Sequence, residues 1–280
     1  MYRLKDLSVD YSDFFSLVDV WNRGQLPPAQ IFDDAVMAAT VGCSCVVLNT
    51  GDGLMLFDAL LPISSCYDNI TDAVARAGWN LADLKMILIT HGHFDHTGAA
   101  GRLAAETGAQ ICFPEADYEL WRSEENVRRS AKNSGVRDLA PDFVPGRFLR
   151  DGDEITLGNV TVRAFSTPGH TPGCMTYVFP VTDCQKRHTA VMMGGTLPQK
   201  TKEEIEAQLA SLDRLDLLTE ELSIDVELPN HHPLSCGEAR MELCRRRLAH
   251  VPNPFVVGKE GVHAAIDAYR RLCRVRMDQI

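Results

Sequence analysis

At 280 residues, 45% hydrophobic and 24% charged, the chain has an ordinary globular composition and can bury roughly three quarters of its unfolded surface in one body. Its 38 acidic residues outweigh 28 basic ones, leaving a formal charge of −10 that opposes the approach of a polyanion, so nucleic acid is excluded as an expected partner. No stretch has the length of a membrane span, and Met1-Tyr2-Arg3-Leu4-Lys5-Asp6 lacks a signal peptide's apolar core, so a cytoplasmic protein without membrane contact is expected.

The first 34 residues, with Phe14, Phe15, Trp21 and Pro27-Pro28 in no clear period, read as an N-terminal extension. From Ala35 apolar strands appear at 36–40, 45–49 and 54–58, joined by the turn Thr50-Gly51-Asp52-Gly53. Within them Cys43-Ser44-Cys45 places two thiols on one strand face, where core packing is expected rather than metal binding. The nine cysteines, odd in number and mostly set in apolar runs, read as reduced thiols. A helix is expected over 66–79, then the strand Met86-Ile87-Leu88-Ile89-Thr90.

That strand delivers His91-Gly92-His93-Phe94-Asp95-His96, three imidazoles and a carboxylate in six residues, a donor set suited to zinc and sometimes to iron or manganese. A continuous helix would turn His93 away from His91 and Asp95, so a loop bent at Gly92 is expected instead. Helices follow at 98–106 and 114–122, with a short strand at 110–113 between them. The polar, irregular stretch 123–147 reads as a flap or a surface insertion.

A second β-rich section opens at Asp151 and leads through 160–165 into Thr167-Pro168-Gly169-His170-Thr171-Pro172-Gly173, where two Pro-Gly pairs present one imidazole from a tight loop. Strands at 174–179 and 189–193 are joined by a polar turn holding Asp183, read as a surface residue. A helix over 202–219 and a strand over 224–228 precede Asn230-His231-His232-Pro233. Two Arg-rich amphipathic helices, 237–249 and 259–277, close the chain. Strands then helix, twice over, suggest two αβ halves with their sheets face to face. Residues 35–236 are taken as the main domain, with 237–280 packing on it. His188, His250 and His263 read as solvated surface.

The hexapeptide, the Thr167–Gly173 loop and the strand-ending Leu56-Phe57-Asp58 together resemble the metallo-β-lactamase superfamily over about residues 35 to 235. The resemblance implies an α+β, four-layer αββα sandwich with two Zn2+ ions at the edge between the sheets, and His91, His93 and His170 as ligands of the first. Most members bring a bridging Asp where this chain has Gly194-Gly195-Thr196. The second ion would then rest on Asp95, His96 and one more histidine. His232 is expected, since it precedes proline as the family's ligand does and neighbouring strand residues face opposite ways; His231 is the rival. This set is most similar to the third subclass of metallo-β-lactamases, in which a hydroxyl stands near the missing Asp, a place for Thr196.

A dinuclear metal-dependent hydrolase is the implied enzyme, opening a β-lactam-like or lactone-like amide or ester of a small-molecule substrate by a metal-bound hydroxide. Asp95 would orient the nucleophile, and Asp58 would hold a ligating histidine such as His91 from behind. A glyoxalase-type thioesterase and an iron-dependent oxidoreductase are the alternatives, and the oligomeric state is left open.

Overall fold

Strand β4 (Leu54–Phe57) shows how this sequence makes layers: its side chains alternate, Met55 and Phe57 entering one apolar cluster while Leu54 and Leu56 enter another on the opposite face. A strand buried on both faces must be covered on both. The computed structural model describes residues 24–136, 139–197, 200–232, 235–248 and 250–280. In it a seven-stranded sheet runs in chain order through β1 (Gln25–Phe32), β2 (Ala35–Thr40), β3 (Ser44–Asn49), β4, β5 (Leu84–Leu88), β6 (Gln110–Pro114) and β7 (Arg147–Leu149). The first four strands pair antiparallel through short turns, and β4 to β7 pair parallel. Parallel neighbours need long crossovers, which here carry the helices α1 (Ser64–Arg76), α2 (Phe94–Thr97), α3 (Ala100–Thr107), α4 (Tyr118–Arg122) and α5 (Glu124–Ser134).

The second sheet has five strands, β8 (Glu154–Leu157), β9 (Val160–Ser166), β10 (Met175–Asp183), β11 (Lys186–Met192) and β12 (Val226–Glu227), in the order β12-β11-β10-β9-β8. Between the sheets Met37, Leu48, Phe57, Tyr177, Phe179 and Met192 form the central core, with Phe57 stacked on Phe179 at a ring separation of 4.2 Å. Ile70, Val74, Leu103 and Trp121 cover the outer face of the first sheet. On the far side, α6 (Lys202–Glu221) and α8 (Gly258–Met277) bury Ile205, Leu212, Leu215, Ile266 and Tyr269 against Val178 and Val191. The molecule is thus an α+β, four-layer αββα sandwich, as the resemblance implied.

Several details differ from the sequence reading. The first sheet begins at Gln25 rather than at Ala35, because Leu26, Ala29, Ile31 and Phe32 are buried and Pro27-Pro28 fall at a register shift of an edge strand, where a missing N–H costs no ladder bond. Phe14, Phe15 and Trp21 lie outside the described residues. Half of the 123–147 stretch is α5, capped by Ser123 and ended by Gly135 in the left-handed region at φ 75°. Beyond it Phe143 stacks on Trp121 at 4.2 Å.

Asp183 is no idle turn residue; it pairs with Arg247 just past α7 (Gly237–Arg246) and accepts a 3.2 Å bond from Asn253. His188 is buried with its Nδ1 2.6 Å from Asp225, and His263 bridges α8 to α6 through Asp216 at 2.7 Å and Glu220 at 2.9 Å. Carboxylates across the fold, invisible to local pattern, captured both rings. Cys43 and Cys45 are buried and belong to no cluster of ligand atoms among the described residues.

Candidate metal centre

The His91 segment is part loop and part helix. His91-Gly92-His93 is non-helical, His93 at φ −81° and ψ 146° caps α2, and Phe94 to Thr97 make one turn. The turn explains the division of labour. Asp95 and His96 project from the helix toward one group, while His91 and His93, ahead of it, reach another.

Two groups of ligand atoms result, His91 with His93 and His170, and Asp95 with His96 and His231, each within 4.8 Å of one another. In the first, His93 Nδ1 lies 3.0 Å from His170 Nε2. In the second, His96 Nε2 lies 3.1 Å from His231 Nε2, and Asp95 Oδ2 stands 3.6 and 3.9 Å from those two nitrogens.

The expected last ligand, His232, is not in this group; the structure places His231 there. The alternation argument failed because β12 ends at Glu227, four residues before His231, which instead makes an isolated bridge to Cys43. His232 turns away, its Nδ1 only 2.1 Å from where a side chain on Gly237 would begin. Pro233 lies outside the described residues.

Hydrogen bonds at the outer ring nitrogens fix which nitrogens face inward. His96 Nδ1–H donates to Asp58 Oδ2 at 2.8 Å, and His231 Nδ1–H to the Gly42 carbonyl at 3.1 Å. With both Nδ1 atoms protonated, neither neutral ring can donate at Nε2, so two lone pairs face each other at 3.1 Å. Such a contact is repulsive until a proton or a metal ion sits between them. His170 Nδ1–H is likewise spent on the Leu197 carbonyl at 2.8 Å. Nε2 of His91 is buried without a hydrogen-bond partner among the described residues. The donor set therefore fits metal ions at both groups.

Asp58 stands behind His96 rather than directly behind His91. Its Oδ1 accepts from Thr90 N at 2.7 Å and its Oδ2 from the Thr90 hydroxyl at 2.8 Å; that hydroxyl lies 3.0 Å from His91 Nδ1 and can accept a hydrogen bond from its N–H. One buried carboxylate thus orients a ring in each group, the second through Thr90.

Burial, followed by the neighbouring imidazoles, holds His91 and His93 well below the usual histidine range, and burial brings His170 down to about 3. His96 moves the other way. Burial lowers it, but the charges of Asp95 and Asp58 together raise it. For Asp95 burial works upward, yet His96, His231 and His93 hold the carboxyl below its ordinary range. A metal ion takes neutral imidazoles and an ionised carboxylate, the forms favoured in His91, His93, His170 and Asp95, while at His96 it would replace the proton that the two carboxylates favour.

His232 is held down to about 4, by burial first and His231 second, against an ordinary value of 6.5. The unfolded chain takes this proton from pH 6.5 downward while the folded one refuses it until about 4, so stability falls as pH drops through that window. For the metal-free protein, urea unfolding at pH 7 and pH 5 should show His232→Gln losing about 2 kcal/mol less than the parent on acidification. Equal losses would contradict the assignment.

Thr196 joins neither group. Its segment wraps His170, since Gly195 sits where a Cβ would fall 2.5 Å from the His170 Cβ, and its side chain lies toward the Tyr269 phenol. Among the described residues no carboxylate is shared by the two groups.

Two residues escaped the sequence reading. Asp117 is fully buried beneath the site, and Asn126 of α5 donates to the Gly92 carbonyl at 3.0 Å while accepting from Arg129 at 3.2 Å. Arg129 makes no ion pair among the described residues, although Glu125 lies one helical turn away, and its charge helps keep His93 unprotonated.

Paired histidine groups at the edge between the sheets of an αββα sandwich define a class of metal-binding folds, and this chain belongs to one such family, the metallo-β-lactamase superfamily, whose profile matches residues 39–184. A probable metallo-hydrolase of Burkholderia pseudomallei is 31% identical over 172 residues, 57% of this chain and 55% of that protein. A hydroxyacylglutathione hydrolase of Brucella anthropi is 32% identical over 111 residues, 40% of this chain and 34% of that one. The chain thus spans about half the length, or less, of these curated relatives. The crystal structure of BJP-1, a subclass B3 metallo-β-lactamase of Bradyrhizobium japonicum, superposes with a TM-score of 0.75 over 92% of this chain and 95% of that one, at 27% identity. Among the described residues no helix is long and apolar enough to cross a membrane.

Proposed function

We propose that the protein is a dinuclear zinc hydrolase that opens the amide or ester bond of a small cyclic substrate, β-lactam or lactone-like. The observation that carries this reading is the pair of convergent donor groups, three histidines beside Asp95-His96-His231, with no carboxylate common to both among the described residues. Likeness to the B3 structure supports it. Bound zinc ions would supply an activated water at neutral pH and an electrophile for the carbonyl oxygen.

The chain's own residues do the rest. His93 and Asp95 are the half-exposed members of the two groups and form the face that substrate meets. Asp95, ionised and 22% exposed, can hold the attacking water through one oxygen and carry its proton to the leaving atom. Burial of His91, His96 and His170 fixes their rings, so little reorganisation is needed as charge develops. Thr196 lies beside His170, but its hydroxyl is buried and faces Tyr269, so it does not reach a substrate.

A thioesterase of the glyoxalase type is the second reading, favoured by the hydroxyacylglutathione hydrolase relative. Turnover by the zinc-loaded protein of nitrocefin, an acyl homoserine lactone, an aryl ester and a lactoyl thioester separates the two. Turnover of the thioester alone would move the assignment to the second, and a purified protein carrying iron with redox activity would overturn both. In the same panel Arg129→Ala should raise KM about fivefold for substrates bearing a carboxylate and leave neutral esters within about twofold, since the guanidinium is exposed and its pairing weak.

A further inference from the structure

Resting on the reading of His91, His93 and His170 as one metal site, we propose that Asp117 is its positioning residue, the side chain that sets the distance between the loop bearing His91 and His93 and the loop bearing His170. The carboxylate follows β6 at the end of a 3-10 turn, Glu115–Asp117, and lies beneath both loops. Its Oδ2 accepts from Gly92 N at 2.7 Å and from the Thr171 hydroxyl at 2.6 Å, and its Oδ1 from Gly173 N at 2.6 Å. Every contact is a donor, so the ionised form is the one that fits. Burial works against that charge and the three hydrogen bonds favour it.

The loops are shaped to admit this group. A side chain on Gly92 would begin 3.1 Å from the Asp117 carbonyl oxygen, and one on Gly173 only 2.5 Å from its amide nitrogen. Each glycine adjoins or nearly adjoins a ligand, Gly92 lying between His91 and His93. Shifting either loop by a fraction of an ångström moves an imidazole by as much, and site geometry tolerates little of that. Asp95, His96 and His231 donate no hydrogen bond to Asp117, so the effect falls on the first site.

The test is zinc affinity, measured by competition with a chromophoric chelator and without any substrate, in two backgrounds that leave one site each: His231→Ala and His93→Ala. Asp117→Asn keeps the volume but turns an amide N–H toward a donor. It should weaken zinc 10–100-fold in the His231→Ala background and less than about threefold in the other. Thr171→Val, which removes one bond and keeps the shape, should weaken the first site about three- to tenfold, with Thr171→Ser restoring it. Should Asp117→Asn fail to fold, the threonine pair decides alone. Equal weakening of both sites, or an unchanged first site, overturns the proposal, and neither result depends on which bond the enzyme cleaves.

Discussion

His231→Ala is expected to bind about one equivalent of zinc where the parent binds about two, and to lose hydrolytic activity by about a hundredfold or more, because only two donors, Asp95 and His96, would remain in the second group. His232→Gln should retain both equivalents. Adjacent histidines make the pair a stringent comparison, since any general disturbance of the segment would affect both variants alike. Metal content by mass spectrometry after dialysis, read beside turnover, checks it. Two equivalents in His231→Ala together with one in His232→Gln would reverse the assignment.

Substitution of Asp58 should have the widest effect of any single change. Removing the carboxylate in Asp58→Ala strands three buried donors, Thr90 N, the Thr90 hydroxyl and His96 Nδ1–H, at about 1–3 kcal/mol each. It also puts alanine at φ 60°, a left-handed conformation that costs a further 1–2 kcal/mol or so. The sum is comparable with the whole stability of many domains, so this variant should express poorly. Asp58→Asn keeps the volume and tolerates the backbone, but its amide N–H would face donors. Zinc affinity should then fall about 10–100-fold at both sites, second-site loss through His96 and first-site loss through Thr90 and His91. Calorimetric titration resolves the two steps, and a weakened second site beside an intact first would show that Thr90 transmits nothing.

Most of the site was legible because its residues are close in sequence. His91, His93, Asp95 and His96 share six positions, and His170 stands out between two Pro-Gly pairs. Asp58 was readable as a strand-end acid, although its first partner proved to be His96. What could not be read lies in long-range contact. Whether His231 or His232 faces inward depends on where β12 stops and on a bridge to Cys43, neither of which leaves a local pattern. Asp117 sits at a helical turn where an acid ordinarily serves the helix, and its three partners are 25, 54 and 56 residues away. The glycines that admit it were visible, but a glycine announces close approach without naming the visitor. The layers were legible from strands then helix, twice over, whereas β1 was hidden by its prolines.

The second group of ligands has a consequence for how the protein matures. His231 reaches its place by bonding to the Gly42 carbonyl, 189 residues earlier, and the neighbouring Ser44 hydroxyl donates to the Pro229 carbonyl across 185 residues. Closing so long a loop is slow, and a chain emerging from the ribosome folds its earlier parts first. His91, His93 and His170 can therefore meet while the segment carrying His231 is still being made. If both groups take metal, a nascent chain would fill the first once the two sheets have met, and the second only when the segment after β12 has closed onto the turn between β2 and β3.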